Sequence, residues 1–118
     1  MDGSGNVYVT GFSDGSWGSP VRAYTIGWDA FAAQLNYNGY LSWNTFLGGD
    51  GFDYGYGITL DGSGNLYLAG KSTAAWTCTV SCTVRSFSAS PDFFAAKLNA
   101  STGVLTWNTF LGLSLIHI

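Results

Sequence analysis

The two cysteines are the first residues of this chain whose spacing suggests chemistry. Cys78 and Cys82 stand four positions apart in the stretch CTVSC. Cysteines this close can form a disulfide that staples a loop, or they can remain free thiols. A zinc site requires two further ligands and no histidine lies nearby, so we expect no metal at this position.

Acidic chemistry depends on seven aspartates, because the sequence contains no glutamate. Asp50 and Asp53 lie together in GGDGFDYG, and Asp2 and Asp61 each begin a DGSGN stretch. Calcium takes about six to eight oxygen ligands, whereas each of these groups offers two carboxylates at most. DGSGN is typical of a tight turn in which the Asp side chain binds the backbone amides that follow. The pattern favours turn and loop roles over a calcium site.

Residues for enzymatic catalysis are scarce. The one histidine, His117, lies in the stretch LSLIHI at residues 113–118, which departs from the pattern of the rest of the chain. No glycine-rich phosphate loop occurs. We therefore expect a protein that is not an enzyme and has no cofactor, and we name no catalytic residue.

Aromatic residues in two long loops are the candidates for ligand binding. The loops read SDGSWGSPVRAYTIGW at residues 13–28 and KSTAAWTCTVSCTVRSF at residues 71–87. Flat rings on loops stack on sugars or on partner side chains at little entropic cost, or they cover the rim of the fold. The candidate residues are Trp17, Tyr24, Trp28 and Trp76.

Charge and hydropathy exclude two classes of partner. The net charge is −3, and the four cations, Arg22, Lys71, Arg85 and Lys97, are scattered. A nucleic-acid binder needs clustered cations to neutralise phosphates, so nucleic acid is not an expected partner. The sequence has no apolar run of about 18 residues, so we expect no membrane-spanning segment.

The elements that position these residues come from a repeat. Three segments each occur twice, in the same order: DGSGNVYVTG (2–11) and DGSGNLYLAG (61–70), DAFAAQLN (29–36) and DFFAAKLN (92–99), LSWNTFLG (41–48) and LTWNTFLG (105–112). The offset between copies grows from 59 to 63 to 64 residues, so the added residues fall in the connections. Stacked structural units produce this pattern.

Each repeat unit predicts short β-strands separated by turns, because β-branched and aromatic segments alternate with Gly, Asn, Asp and Ser. The predicted strands are 7–11, 30–35 and 41–47 in the first copy and 54–60, 66–70, 93–98 and 104–111 in the second. Alternation along YGYGITL predicts Tyr54, Tyr56, Ile58 and Leu60 on one face of its strand. No segment has the spacing and caps of a helix.

Repeated four-stranded units of about sixty residues, apolar or small on both faces, indicate the blades of a β-propeller. The segments also resemble the bacterial SBBP repeat, a family of seven-bladed β-propellers. The resemblance rests on DGSGNVYVTG, DAFAAQLN and WNTFLGGDGFDYGYGITLD and on the second set DGSGNLYLAG, DFFAAKLN and WNTFLG. It covers nearly all of the chain outside the two long loops and the tail.

This resemblance implies an all-β propeller fragment of about two antiparallel blades. We expect a partial blade of three strands at 1–52 that lacks its innermost strand, a complete blade at 53–112 and an off-pattern tail at 113–118. It further implies a scaffold or interaction platform in a secreted or cell-surface bacterial protein, partnered by other blades and by a protein or glycan ligand. A surface location favours the disulfide between Cys78 and Cys82.

Two alternatives remain open. The long-loop aromatics would suit a carbohydrate-binding propeller. The stretch AAKLNASTGVLTW at residues 95–107 resembles the turn of quinoprotein-type propellers, which would make this chain part of an enzyme whose active site lies on other blades.

Overall fold

The computed structural model of the chain describes residues 2–25, 27–49, 51–73 and 92–111, and this part of the chain is all-β without a helix. The strands form two antiparallel sheets in which each strand pairs with the next, ordered β1-β2-β3 and β4-β5-β6-β7. They are β1 (Val7–Ser13), β2 (Asp29–Leu35), β3 (Leu41–Leu47), β4 (Asp53–Leu60), β5 (Asn65–Ser72), β6 (Asp92–Asn99) and β7 (Leu105–Leu111).

The predicted fold class is confirmed. All seven predicted strands are present, with ends within two residues of the predicted ones. The first sheet has three strands and the second has four, as expected for two blades of which the first lacks an innermost strand. The first sheet lies within residues 7–47 and the second within 53–111, whereas the predicted extent of each domain remains a prediction.

The two sheets share one register because their sequences repeat. The first pair of the first sheet joins Val7 to Leu35, and the matching pair of the second joins Leu66 to Leu98. In both sheets the pairing with the last strand shifts next to these second leucines. The same irregularity at the same place shows that the copies are equivalent in three dimensions.

The core lies between the sheets and draws side chains from both. Alanines of β2, leucines of β5 and Phe94 of β6 are buried there. Trp43 of the first sheet donates a hydrogen bond from Nε1 to the carbonyl of Ala100 in the second, at 2.9 Å. A Cβ on Gly103 would lie 2.5 Å from the Trp43 ring, so glycine allows this close approach.

One face assignment from the sequence is wrong. β4 contains a bulge at Tyr56, because the register shifts between Gly55 and Gly57. The extra residue reverses the alternation. Gly55 therefore shares a face with Ile58, which packs against the core, and a Cβ on Gly55 would meet Thr10 Oγ1 of the first sheet at 2.2 Å. The tyrosines of β4 do not share the face of its isoleucine and leucine.

Four sequence predictions fall outside the described residues. They are the Cys78–Cys82 disulfide, the ligand role of Trp76, the loop role of Asp50 and the off-pattern tail at 113–118. Each stays a prediction.

Candidate functional site: an aromatic cluster where the sheets meet

Five aromatic rings meet where the two sheets come together, and we call them the junction cluster: Phe12, Trp28, Phe52, Tyr54 and Tyr56. Phe12 and Trp28 stack with ring centroids 5.1 Å apart and planes 13° apart. Tyr54 packs edge-on against Phe12 at 4.8 Å and stacks in parallel with Tyr56 at 6.3 Å. Phe52 lies edge-on to Trp28 at 6.1 Å. The rings thus form one continuous set from the first sheet to the second.

Strand ends position the junction cluster. Phe12 lies near the end of β1, Trp28 directly precedes β2, and Phe52 directly precedes β4. The antiparallel order brings these ends to the same side of the molecule. The backbones of Trp28 and Phe52 form a parallel bridge, and the Asp53 amide donates to the Trp28 carbonyl at 2.5 Å. This backbone link holds the cluster at fixed geometry.

Much of the junction cluster is open to solvent. The exposed fractions are 38% for Trp28, 47% for Phe12, 50% for Phe52 and 60% for Tyr56. Large apolar side chains that are grouped and exposed are unusual on a protein surface and are typical of binding sites. The cluster is therefore the strongest candidate surface among the described residues.

A shallow cleft borders the stacked pair. Phe12, Ser13, Asp14 and Trp28 line about 300 Å³ of open space. Asp14 places a carboxylate beside flat apolar rings, whereas the Ser13 hydroxyl donates to the Gly15 carbonyl at 2.7 Å. This combination suits a ligand with one apolar face and a polar rim.

Lys71 provides a cation beside the junction cluster. Its Nζ lies 5.5 Å from the ring centroid of Tyr54, which is a cation–π contact. Lys71 is paired with Tyr54 across β4 and β5. In the first sheet the repeat places Phe12 at the position of Lys71, so the first copy has a ring where the second has a charge.

Two of the predicted ligand-binding aromatics cover a sheet face instead of joining the junction cluster. Trp17 packs edge-on against Phe31 and Phe46, at 5.1 Å and 5.6 Å. Tyr24 packs edge-on against Phe46 at 5.5 Å, and its hydroxyl donates to the Gly27 carbonyl. Both are partly buried on the face of the first sheet that points away from the second. Of the three predicted aromatics that the structure describes, only Trp28 lies in the cluster.

Beneath the junction, Arg22 and two aspartates form a charged group that the sequence did not predict. The Arg22 guanidinium donates to the carbonyls of Phe46 and Gly48 at 3.0 Å and 3.2 Å. Asp29 and Asp53 are fully buried on either side of Gly48, where a Cβ would lie 2.7 Å and 2.4 Å from their oxygens. Burial lowers the pKa of Arg22, and the two carboxylates oppose that shift.

Thr25 and a backbone amide make further hydrogen bonds to the carboxylates of Asp29 and Asp53. The Thr25 hydroxyl lies within hydrogen-bond distance of both Asp29 oxygens, at 2.6 Å and 2.8 Å, and of the Gly49 carbonyl at 2.6 Å. The Gly49 amide donates to Asp53 Oδ2 at 3.2 Å. The hydrogen bonds of Thr25, Asp29, Gly49 and Asp53 thus link the long loop before β2 to the loop before β4. These two loops carry Trp28 and Phe52 of the junction cluster.

The two DGSGN turns lie at the opposite end of the sheets. Asp61 accepts hydrogen bonds from the amides of Ser63 and Asn65 at 2.8 Å and 3.0 Å, and from the Asn65 side chain at 2.9 Å. The Tyr67 hydroxyl donates to it at 3.2 Å. These bonds, led by that of the Asn65 side chain, lower the pKa of Asp61 to about 2.

Asp2 makes the matching contacts with Ser4, Asn6 and Tyr8, and its pKa is also lowered to about 2, chiefly by the Asn6 side chain. The carboxylates are thus engaged in turn geometry, as the sequence predicts. Within residues 2–25, 27–49, 51–73 and 92–111, no three His, Cys, Asp or Glu side chains come together to bind a metal.

Comparison with protein families agrees with this architecture. The model of the SBBP family, described as a beta-propeller repeat, matches residues 43–75, which run from within β3 through β4 and β5. The resemblance read from the motifs is confirmed over this stretch, which includes the loop with Phe52 and the tyrosines of β4. A search of curated proteins found no match. In the part of the chain that the structure describes, no helix has the length and apolar character to cross a membrane.

Sequence reasoning missed Phe12, Phe52 and the β4 tyrosines as surface residues. It assigned ligand binding to loops, whereas these residues lie in or beside strands. One signal was present in the sequence: the first copy has Phe12 where the second has Lys71. A residue that differs between otherwise matching copies is a candidate for a role that only one copy has.

Proposed function

We propose that the chain is a non-catalytic β-propeller segment that serves as a scaffold and interaction platform in a secreted or cell-surface bacterial protein. The observation that carries this proposal is the junction cluster, an exposed aromatic surface on a backbone-linked pair of sheets. A rigid support holds binding residues in place at little entropic cost, so such surfaces suit recognition. Other blades of the same propeller are the structural partners.

The surface location has a direct test. An antiserum raised against residues 1–118 should label intact cells of the source bacterium, and brief protease treatment of those cells should remove the label. An antiserum against a cytoplasmic protein serves as the control for cell integrity. Labelling that appears only after lysis would overturn the surface location.

A second function, carbohydrate binding, is favoured by the cleft beside Trp28. The exposed face of an indole ring stacks on the apolar face of a sugar, and the Asp14 carboxylate beside it would accept hydrogen bonds from the sugar hydroxyl groups. Phe12 stacks nearly parallel to Trp28 and restrains its orientation. A neutral oligosaccharide is therefore the ligand class that this surface fits.

Calorimetric titration with soluble cello-, chito- and xylo-oligosaccharides tests this function. We expect one series to bind, and Trp28→Ala to weaken that binding about tenfold or more, which is the loss typical of an aromatic anchor. Tyr37→Ala is the matched control, because Tyr37 is 75% exposed but belongs to the turn between β2 and β3 at the opposite end. Equal loss in both variants, or binding to none of the three series, would exclude a sugar site at Trp28.

A further inference from the structure

The seven asparagines of the chain differ in how their side chains are held. Five of them make side-chain hydrogen bonds: Asn6, Asn36, Asn44, Asn65 and Asn99. Asn108 is fully buried in the second sheet. Asn38 is exposed, and its side chain makes no hydrogen bond with any residue that the structure describes. The Asn38 amide is therefore the one that is both open to water and unrestrained.

Asn38 directly precedes Gly39 in the turn between β2 and β3. Two backbone bonds form this turn: the Gly39 amide donates to the Asn36 carbonyl at 2.8 Å, and the Asn36 amide donates to the Tyr40 carbonyl at 2.9 Å. Gly39 has a φ of +88°, and a Cβ built on it would meet no atom within 4 Å. The backbone nitrogen that follows Asn38 thus lies in open space with no side chain beside it.

An asparagine side chain next to such a nitrogen can react with it. The Gly39 nitrogen gives its proton to water or hydroxide and bonds to Cγ of Asn38, and the Cγ–Nδ2 bond breaks to release ammonia. A five-membered succinimide ring results. Water then opens the ring at either carbonyl and leaves aspartate or isoaspartate. Water is the only co-reactant, and glycine favours the attack because it has no Cβ to crowd the ring.

The matching turn of the second sheet shows what restrains a glycine. The Gly103 amide donates to the Asn99 carbonyl, also at 2.8 Å, and the φ of Gly103 is +76°. A Cβ on Gly103, however, would lie 2.5 Å from the Trp43 ring of the first sheet. Ring closure rotates the peptide plane before the glycine. Gly39 is free to make this movement, whereas Gly103 would have to displace a packed indole.

We propose that Asn38–Gly39 is a site of spontaneous deamidation, at which the folded chain converts Asn38 into aspartate and isoaspartate. A neutral amide becomes a carboxylate, so the net charge changes from −3 to −4. The new charge is flanked in sequence by Tyr37 and Tyr40, which are 75% and 72% exposed. This inference uses only the turn and water, and it holds whether or not the chain is a scaffold or binds sugars.

Incubation of the purified, folded chain at neutral pH in water enriched in the heavy oxygen isotope tests the proposal. Peptide mapping by mass spectrometry should show uptake of the isotope at Asn38 in two chromatographically distinct products, the aspartate and isoaspartate forms. We expect amide loss at Asn38 to be at least about tenfold faster than at the other asparagines, because their side chains must first leave their partners or reach water. An intact Asn38, or equal rates at Asn38 and at Asn65, would overturn the proposal.

Thr102→Asn provides a matched control, because it places the same Asn-Gly pair before Gly103. In the folded variant, the introduced asparagine should react at least about fivefold more slowly than Asn38, since Gly103 packs against Trp43. In concentrated urea the two sites should react at similar rates, because unfolding removes this packing. Equal rates in the folded variant would show that the open position of Gly39 does not select Asn38, and the inference would be wrong. If circular dichroism shows that the variant does not fold, the comparison of Asn38 with Asn65 in the original chain decides alone.

Discussion

At the scale of single residues, glycine is required where β5 is crowded by the strands on both its sides. A Cβ on Gly70 would lie 1.9 Å from the Tyr54 carbonyl oxygen and 2.6 Å from the Phe94 ring. The first of these atoms belongs to the backbone of β4, so it cannot rotate away. At the matching Gly11, a Cβ would lie 3.0 Å from the Phe31 ring.

Gly70→Ala should therefore destabilise the chain by roughly 1–3 kcal/mol or more, the usual cost of overpacking. The measurement is urea unfolding followed by tryptophan fluorescence. Gly57→Ala is the matched control in β4, where a Cβ meets no atom within 4 Å, and it should leave stability nearly unchanged. Comparable losses in the two variants would show that the cost is not the clash with Tyr54.

Asp2 and Asp61, the aspartates of the two DGSGN turns, make the free energy of unfolding depend on pH under acidic conditions. Their folded-state pKa values are about 2, below the ordinary value of 3.8, because the turns donate hydrogen bonds to the ionised carboxylates. The unfolded chain therefore takes up protons first as pH falls. The stabilisation is fully present above about pH 4 and is lost progressively between about pH 4 and pH 2.

Asp61→Asn should reduce this dependence. The asparagine oxygen still accepts from the backbone amides of Ser63 and Asn65, but its amide group cannot accept from the Asn65 side chain or from Tyr67. We expect the variant to be less stable at pH 6 and the difference from the original chain to narrow between about pH 4 and pH 2. Asp14→Asn, at an exposed loop residue, is the control. A difference between Asp61→Asn and the original chain that stays constant over this pH interval would contradict the assignment.

At the scale of elements, backbone hydrogen bonds and the charged side chain of Arg22 attach the long loop before β2 to the first sheet. The Val21 amide donates to the carbonyl of Asn44 at 2.9 Å, and the Phe46 amide donates to the Arg22 carbonyl at 3.0 Å. These bonds cover the outer edge of β3. Arg22 then places its charge beside the buried carboxylates of Asp29 and Asp53.

Arg22→Met should lower stability by about 2–3 kcal/mol, because it removes the cation beside two buried carboxylates; Arg22 is partly exposed, so the loss is smaller than for a fully buried pair. Thermal and urea unfolding measure the effect. Lys97→Met, which removes a cation from the open face of β6, is the control and should change stability by less than about 0.5 kcal/mol. A similarly small effect of Arg22→Met would show that the aspartates do not depend on its charge.

Strands and their order could be predicted from the sequence because each is marked locally. The DGSGN turns indicate the hairpins, and every strand except β4 has a matching strand in the other copy of the repeat. The bulge at Tyr56 could not be predicted, since it arises from the pairing of β4 with β5 and YGYGITL alternates without interruption. Arg22 was likewise missed because its partners lie 7 and 31 residues away, and no local pattern joins them.

The candidate site was predictable only in part for the same reason. Trp28 was identified as a loop aromatic, and it lies in the junction cluster. Trp17 and Tyr24 have the same residue types and the same loop, yet they cover a sheet face, because Phe31 and Phe46 leave a surface there for rings to pack on. Composition indicates an aromatic surface, but packing decides which rings remain exposed.

At the scale of the whole molecule, one face of each sheet is used in the core and the other points outward. Lys71, Phe93 and Leu111 form one row across the second sheet, on the face opposite the buried Phe94 and Phe110. Phe93 is 44% exposed and Leu111 is 46% exposed. A stacked repeat covers such a face with its neighbour, so these side chains are suited to contact another sheet.

The isolated chain should therefore self-associate in solution. The exposed Phe93 and Leu111 on the outward face of the second sheet favour contact with further sheets, and edge strands promote strand pairing between molecules. Multi-angle light scattering over a hundredfold range of concentration should show a mass that rises above 12.5 kDa. The double variant Phe93→Ser with Leu111→Ser should shift this association to higher concentration. Tyr37→Ser with Tyr40→Ser, which removes exposed rings from a turn, should not. A monodisperse monomer with one cooperative melting transition at every concentration would instead show that two sheets form a self-sufficient unit whose outward faces need no partner.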